Sequence, residues 1–170
     1  MMRTSTTLPA LRSGTLDVLL APQGLHSTLT QELIAHLGSR GAVRVLEGGN
    51  RLDTHQLARD LRRRTPHLHE ALERISVSRA FTCYQMVTLL VETEATATPT
   101  LVLRFLSTFY DENVSLGERQ GLVRRGIGEL RRLSGKGPVL VSVHPPRAEG
   151  SPSLVEILLE AADRLHHYEL

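Results

Sequence analysis

The chain has 170 residues, of which 41% are hydrophobic and 22% are charged, and its formal net charge is +2. This length suits one compact domain, and no apolar run approaches the roughly 20 residues that a membrane-spanning helix requires. Cys83 is the only cysteine, so no internal disulfide can form, and we expect it to be a buried small side chain. Composition therefore predicts a cytoplasmic globular protein with no membrane contact.

The first fourteen residues, MMRTSTTLPALRSG, are basic and contain no acidic side chain. They have too few periodic apolar residues to form a packed element, so we interpret residues 1–14 as a flexible N-terminal arm. Residues 15–170 are predicted to form a single domain, because neither a repeat nor a domain boundary interrupts them. Two Pro-, Thr- or Ser-rich stretches, ETEATATP and PPRAEGSPS, are predicted to be loops within it.

From Leu16 onward, short apolar runs alternate with segments of helical periodicity. This alternation is typical of βαβ units, so we predict an α/β fold with a mostly parallel sheet of five or six strands and helices on both faces. The apolar runs DVLLA, TLVLRFL and PVLVSV have the continuous character expected of inner strands. The predicted strands are Asp17–Leu20, Val43–Leu46, Ile75–Ser78, Leu101–Leu106, Val139–Val143 and a weaker Leu165–Tyr168.

Capping-box patterns mark four predicted helix starts, because a side-chain oxygen there can accept from the amide three residues on. The four pairs are Thr28 with Gln31, Asp53 with Gln56, Ser115 with Glu118, and Ser153 with Glu156. In the longest helix, Gly126 and Gly128 are unfavourable for helix formation, and close packing against the sheet would explain them. Its predicted buried stripe is Leu116, Val123, Ile127, Leu130 and Leu133.

The segment APQGLHST lies between the first strand and its helix, where nucleotide hydrolases have a phosphate-binding P-loop. A working P-loop reads G-x-x-x-x-G-K-[ST], with backbone amides and a lysine on the phosphates and a hydroxyl on magnesium. The corresponding positions here are Ala21, His26, Ser27 and Thr28. We favour a helix N-cap over a magnesium ligand for Thr28. Gly24, with the helix N-terminus, would still offer amides to a weakly bound phosphate or sulfate.

Three further stretches, followed by a shorter fourth, resemble the RecA/RadA recombinase ATPase core, and the resemblance covers most of Leu16–Pro145. VRVLEGGNRLDTHQLARDL resembles the second strand and helix of that core, and LERISVSRAFTCYQMVTLL resembles its next strand–helix unit. TLVLRFLSTFYDENVSLGERQGLVRRGIGELRRL resembles the Walker B strand with the loop and long helix that follow, and GPVLVSVHPP resembles the next strand. The resemblance implies a RecA-like P-loop fold.

The chain differs from this family at the positions that bind phosphate and magnesium and activate water. The resemblance places Arg104 where the Walker B aspartate would hold the magnesium shell, which reverses the sign of the site. The catalytic glutamate of the family would align with Gly49, and a shifted alignment would bring in Glu47 instead. With the lysine and the second glycine also missing, the resemblance implies a pseudo-ATPase with degenerate Walker motifs, no catalytic residues and no resident cofactor.

Histidine pairs and arginine clusters are the remaining candidates for sites. His67 with His69 and His166 with His167 have poor spacing for metal ligation on either a helix or a strand, so no metal site is predicted. The clustered arginines are interpreted as solvated helix faces, with DNA-backbone binding as the alternative. These candidates for DNA binding are Arg62, Arg63, Arg64, Arg124, Arg125, Arg131 and Arg132.

The leading hypothesis is a catalytically degenerate RecA-like protein that assists DNA recombination or repair through protein contacts or weak DNA binding. One alternative is an unconventional P-loop ATPase that binds ATP and magnesium with Arg104, His26 and Glu47. The other is a structural module that assembles with copies of itself. We accordingly expect a protein partner or a homo-oligomer, and Phe81, Tyr84, Phe109 and Tyr110 are candidates either for that surface or for the core.

Overall fold

The computed structural model describes residues 7–145 and 152–169. Its strands are Leu16–Leu20 (β1), Val43–Gly48 (β2), Ile75–Ala80 (β3), Thr100–Leu103 (β4), Val139–Val143 (β5) and Arg164–His167 (β6). Its α-helices are Gln23–Gly38 (α1), Thr54–Arg62 (α2), Leu68–Glu73 (α3), Cys83–Glu92 (α4), Leu116–Ser134 (α5) and Pro152–Ala161 (α6). A 3₁₀ helix, Phe105–Phe109, follows β4. Among the described residues, no helix combines the length and the apolar character that crossing a membrane requires.

The six strands form one sheet in the order β3-β2-β4-β5-β1-β6, and every adjacent pair is parallel. The predicted α/β class and all six predicted strands are confirmed. One strand is shorter than predicted, because β4 ends at Leu103 and the chain turns into the 3₁₀ helix before Leu106. The inner strands β1, β4 and β5 are buried along their whole lengths, as their continuous apolar runs predict.

Two apolar cores cover the two faces of the sheet. One lies between the sheet and α4, α5 and α6, and it includes Val18, Phe105 and the buried Cys83. The other lies between the sheet and α1, α2 and α3, and it includes Leu19 and Leu101. Neighbouring residues of β1 therefore serve opposite cores, as the alternation of side chains along a strand requires. The sheet is held between these two cores, and this packing fixes the positions of the side chains at its carboxyl edge.

Two of the four predicted caps are confirmed. Asp53 accepts from the amides of His55 and Gln56 at the start of α2, and Ser115 accepts from the amide of Glu118 at the start of α5. The prediction at Thr28 is wrong, because α1 begins five residues earlier, with Pro22 at its N-cap. α6 begins at Pro152, so Ser153 lies inside that helix. Most of the predicted loop PPRAEGSPS, like residues 1–6 of the predicted arm, lies outside the described residues.

The stripe predicted for α5 is confirmed except at its first residue. Leu116 is 41% exposed, whereas the other four members are buried. Gly126 allows close packing as predicted, since a Cβ there would lie 2.9 Å from the Phe105 ring. For Gly128 the packing explanation is wrong, because a Cβ there would meet no heavy atom within 4 Å.

The edge strand β6 is tied to the sheet by Asp17, a buried carboxylate on β1. Its oxygens accept from Arg164 at 2.5 Å and from Thr15 at 2.9 Å, and Oδ2 lies 2.9 Å from His166 Nε2. Burial raises the pKa of Asp17, but these hydrogen bonds outweigh burial and hold that pKa below its ordinary value. Arg164 also donates to the carbonyl of Ala10, so part of the predicted N-terminal arm contacts this edge.

Candidate functional site at the carboxyl edge of the sheet

The carboxyl edge of the sheet is where β1, β2, β4 and β5 deliver the residues that the sequence assigns to a degenerate nucleotide site. Parallel strands present their carboxyl ends at one edge, and ligands of open α/β sheets bind there. The structure brings Ala21, His26, Ser27, Glu47 and Arg104 together at this edge. Gly24 and Thr28 lie on the same first turns of α1 but are exposed to solvent.

The link between β1 and α1 is too short to be a phosphate-wrapping loop. Only Ala21 and Pro22 separate the strand from the helix, and Pro22 accepts from the amides of Leu25 and His26 at 3.0 and 2.9 Å. Pro22 fixes an extended N-cap (φ −64°, ψ 155°), from which the helix starts directly. Residues that would form the second half of a P-loop are therefore helical, and their amides are committed to helical hydrogen bonds.

A buried ion pair between Arg104 and Glu47 occupies the centre of the edge. Arg104 Nη1 lies 3.1 Å from Glu47 Oε2, and the two side chains are 5% and 0% exposed. The carboxylate also accepts from the amides of Arg51 (3.1 Å) and Leu52 (2.9 Å) and from Arg79 Nε (3.3 Å). Four donors thus satisfy the buried carboxylate, as a buried charge requires, while Arg104 Nε has no hydrogen-bond partner among the described residues.

The backbone of Arg104 is left-handed, with φ 52° and ψ 45°. This conformation costs a non-glycine residue about 1 kcal/mol and persists only where the surroundings hold it. Here the Arg104 amide donates to Ser142 Oγ at 3.0 Å, and its carbonyl accepts from Ser107 Oγ at 2.8 Å. A Cβ on Gly48 would lie 2.4 Å from that carbonyl, so glycine is required there. The turn aims the guanidinium back over the edge.

Arg104 also connects the sheet to the start of α1. Its Nη2 donates to Ser27 Oγ at 3.0 Å, while Nη1 holds Glu47 on β2. Burial lowers the pKa of Arg104, and the Glu47 carboxylate opposes that shift. The guanidinium thus fills the space between the helix start and the carboxylate, with its charge already balanced.

A buried histidine completes the network. His26 Nε2 lies 2.7 Å from Ser142 Oγ, and the His26 and His144 ring centroids are 4.4 Å apart. Burial, followed by the neighbouring His144 and Arg104, lowers the pKa of His26 to about 3. His26 is therefore neutral at physiological pH. Its Nδ1 has no hydrogen-bond partner among the described residues.

This arrangement has the chemistry of a structural network. His26 and Ser142 are both 0% exposed, so no external substrate reaches this pair. Within residues 7–145 and 152–169, no three His, Cys, Asp or Glu side chains are grouped so as to hold a metal ion. Glu47, the carboxylate at the centre of this edge, is fully used by Arg104, Arg79 and two amides.

Sequence reasoning identifies Arg104, Glu47, His26 and Ser27 but misses Ser142, which joins the first and third of these. Because Ser142 lies in an apolar strand without flanking glycines, nothing in the sequence marks it as a nucleophile. A signal is present nevertheless, since it is the one polar residue in the β5 run VLVSV. A buried polar residue in an inner strand requires a hydrogen-bond partner, and the neighbouring elements supply one.

The arginines proposed for DNA binding are dispersed over the surface, and three of them are engaged in the fold. Arg63 pairs with Asp60, Arg131 donates to the carbonyl of Ala161, and Arg132 donates to the carbonyls of Leu90 and Thr93. The structure gives no partner within the described residues for the other four side chains. These are Arg62, Arg64, Arg124 and Arg125.

We predict that the Arg104–Glu47 pair is strongly coupled in stability. Glu47→Gln is expected to lower the free energy of unfolding by about 3 kcal/mol, since it leaves Arg104 buried without a counter-charge. The double variant Glu47→Gln, Arg104→Gln should lose much less free energy of unfolding than the two single variants lose in sum. Urea unfolding of the four proteins in this cycle measures the coupling.

The pair of Arg131 and Asp163, whose side chains are 49% and 40% exposed, supplies the control, and its cycle should give a coupling below about 1 kcal/mol. Additive costs for Arg104 and Glu47 would contradict the buried pair.

We also predict that His26 makes the protein less stable in mild acid. The folded pKa is about 3, below the ordinary value of 6.5, so between these values the unfolded chain binds more protons than the folded one. This contribution is fully present above pH 6.5 and is lost as the pH falls toward 3, at up to about 1.4 kcal/mol per pH unit. His26→Gln should remove that part of the slope when unfolding is measured from pH 7 to 4.5.

The matched control is His69→Gln, which changes an exposed histidine on α3. It should leave the slope as in the unaltered protein. Equal slopes for the His26→Gln variant and the unaltered protein would show that His26 is protonated in the folded state.

With the geometry of this edge established, comparison with known proteins adds no family assignment. No protein-family model matches the chain, and no curated protein sequence matches it. The resemblance to the recombinase core therefore rests on the sequence stretches themselves.

Proposed function

We propose that this protein is a RecA-like module that does not hydrolyse nucleotides and that assists DNA recombination or repair by binding other macromolecules. One observation carries the first part of this proposal. The Arg104 guanidinium, held by Glu47 and Ser27, lies where a nucleotide site would place phosphate and magnesium. The second part follows from the resemblance to the recombinase core.

Electrostatics argue against a magnesium-nucleotide complex at this edge. Magnesium binds through carboxylates and phosphate oxygens, and the buried guanidinium would repel it. Moving Arg104 away would leave the buried Glu47 with only the partly exposed Arg79 as a counter-charge, a cost that nucleotide binding would have to exceed.

The position of the single lysine supports the same conclusion. A P-loop lysine must reach the β- and γ-phosphates from the start of the helix. Lys136, the only lysine of the chain, lies between the end of α5 and the start of β5. That is the amino edge of the sheet, so Lys136 cannot substitute for the P-loop lysine.

Calorimetry with ATP, with and without magnesium, tests this proposal together with a phosphate-release assay on the same sample. We expect neither magnesium-dependent binding nor turnover. Magnesium-dependent binding would instead favour the unconventional ATPase. Turnover that Thr28→Ala abolishes would overturn the proposal, because it would give this exposed hydroxyl the role of a metal ligand.

A second candidate, a self-assembling structural module, is favoured by the surface beside β3. This strand is at the end of the sheet, so its outer backbone groups have no strand partner within it. Beside it runs an open groove of about 490 Å³, lined in part by Phe81 and Tyr84, which are 64% and 47% exposed. Of the other two aromatic candidates, Phe109 is buried and Tyr110 is 41% exposed.

Light scattering over a range of protein concentrations tests this second candidate. A self-assembling module should grow in mass with concentration, and Phe81→Ser should suppress that growth. Val91→Ser is the control, because Val91 is exposed on the adjoining helix α4 but does not line the groove. A mass that stays monomeric at every concentration would exclude self-assembly through this groove.

A further inference from the structure

The strongest unassigned feature is a cationic surface at the amino edge of the sheet, on the side opposite Arg104 and Glu47. α1 and α2 lie on the same face and both end at this edge. Their ends pack against each other, since a Cβ on Gly38 at the end of α1 would lie 3.9 Å from the Leu61 side chain of α2. This contact brings Arg40 and Arg64 near His36. Arg62, the last residue of α2, is two positions from Arg64. We call Arg40, Arg62, Arg64 and His36 the basic corner.

The arginine side chains of the basic corner form no ion pair with a carboxylate and no hydrogen bond within the described part of the chain. No carboxylate or hydrogen-bond acceptor pairs with the side chain of Arg40, Arg62 or Arg64 in the described part of the chain, and all three are exposed. Most other described arginines are engaged. Arg44, for example, donates to Glu94 and Thr96.

Helix capping does not account for this concentration of charge. The carbonyl groups at the end of α1 are already served by Arg74, which donates to Gly38 at 3.2 Å and Ser39 at 3.4 Å. Arg40 lies beyond that end and adds a second cation that the helix does not need. Cations near a helix C-terminus stabilise the helix only weakly, and mutual repulsion offsets part of this effect.

The chemistry of the basic corner selects its partner. A guanidinium group is planar and donates in pairs, which matches phosphate oxygens. All four residues are polar, so the corner lacks the apolar centre of a protein interface and the apolar face of a membrane-binding helix. A polyanion with regularly spaced phosphates provides acceptors for the guanidinium groups and needs no apolar contact.

We propose that the basic corner binds the sugar–phosphate backbone of nucleic acid without reading its sequence. The chain contains no tryptophan that could stack on bases. The proposal deepens the proposed function by naming nucleic acid as the bound macromolecule and the basic corner as the binding surface, and it rests on that function for its biological setting.

The other arginine cluster, on α5, is a weaker candidate and supplies a control. Arg131 and Arg132 are bound to carbonyls, and Glu129 pairs with Arg132. Only Arg124 and Arg125 remain unpaired among the described residues of that cluster. Adjacent residues on a helix point about 100° apart, so these two do not form one surface.

Fluorescence anisotropy tests the proposal with two labelled probes, an oligo(dT) of about 30 nucleotides and a duplex of about 30 base pairs. Binding of each probe is measured over a salt series. The triple variant Arg40→Gln, Arg62→Gln, Arg64→Gln is compared with Arg51→Gln, Arg124→Gln, Arg125→Gln, which removes the same charge away from the amino edge. We expect the first to weaken binding at least about tenfold and to reduce the salt slope by about 2–3. The second should change affinity less than about threefold, and relative affinity for strand and duplex identifies the preferred form.

Three results would overturn the proposal. They are no binding by the unaltered protein at low salt, equal losses in the two triple variants, and binding to phosphatidylserine vesicles as strong as to DNA. Thermal unfolding confirms that both variants are folded. ATP calorimetry on the first variant distinguishes a failure of this proposal from a failure of the proposed function.

Discussion

The buried ion pair between Arg104 and Glu47 is the constraint around which the carboxyl edge is arranged. A guanidinium that is 5% exposed requires a counter-charge and acceptors, and β2 and α1 supply them through Glu47 and Ser27. Ser142 on β5 holds the same residue by accepting from the Arg104 backbone amide. The same requirement explains the strained backbone of Arg104 and the glycine at position 48, which admits the Arg104 carbonyl. The carboxylate at this edge is already engaged by two arginines and two amides, so it has no capacity left for a magnesium ion.

The parallel sheet makes this arrangement possible. Because every strand runs in the same direction, residues from four strands and the start of α1 converge within hydrogen-bonding distance. The two apolar cores hold the strands and helices in place, so the network is built on rigid elements rather than on a flexible loop. The two edges of the sheet then differ, with a buried ion-pair network at the carboxyl edge and the exposed arginines of the basic corner at the amino edge.

The sequence predicts the sheet well because strand signals are local. Continuous apolar runs locate all six strands, and side-chain oxygens at Asp53 and Ser115 locate two helix starts. The pattern at Thr28 also fits a cap, but Pro22 fixes the helix start earlier by restricting the backbone. Partners distant in sequence are beyond the reach of such signals. The pairing of Arg104 with Glu47 spans 57 positions and depends on the strand order, which no local pattern specifies.

The most direct test of the Arg104 network at the carboxyl edge is a crystal structure of the protein grown with excess magnesium and ATP. We predict that Arg104 keeps its contacts with Glu47 and Ser27 and that no nucleotide density appears between Arg104 and the start of α1. A nucleotide with its phosphates at Gly24 and Thr28, accompanied by an Arg104 side chain turned away from Glu47, would contradict that prediction.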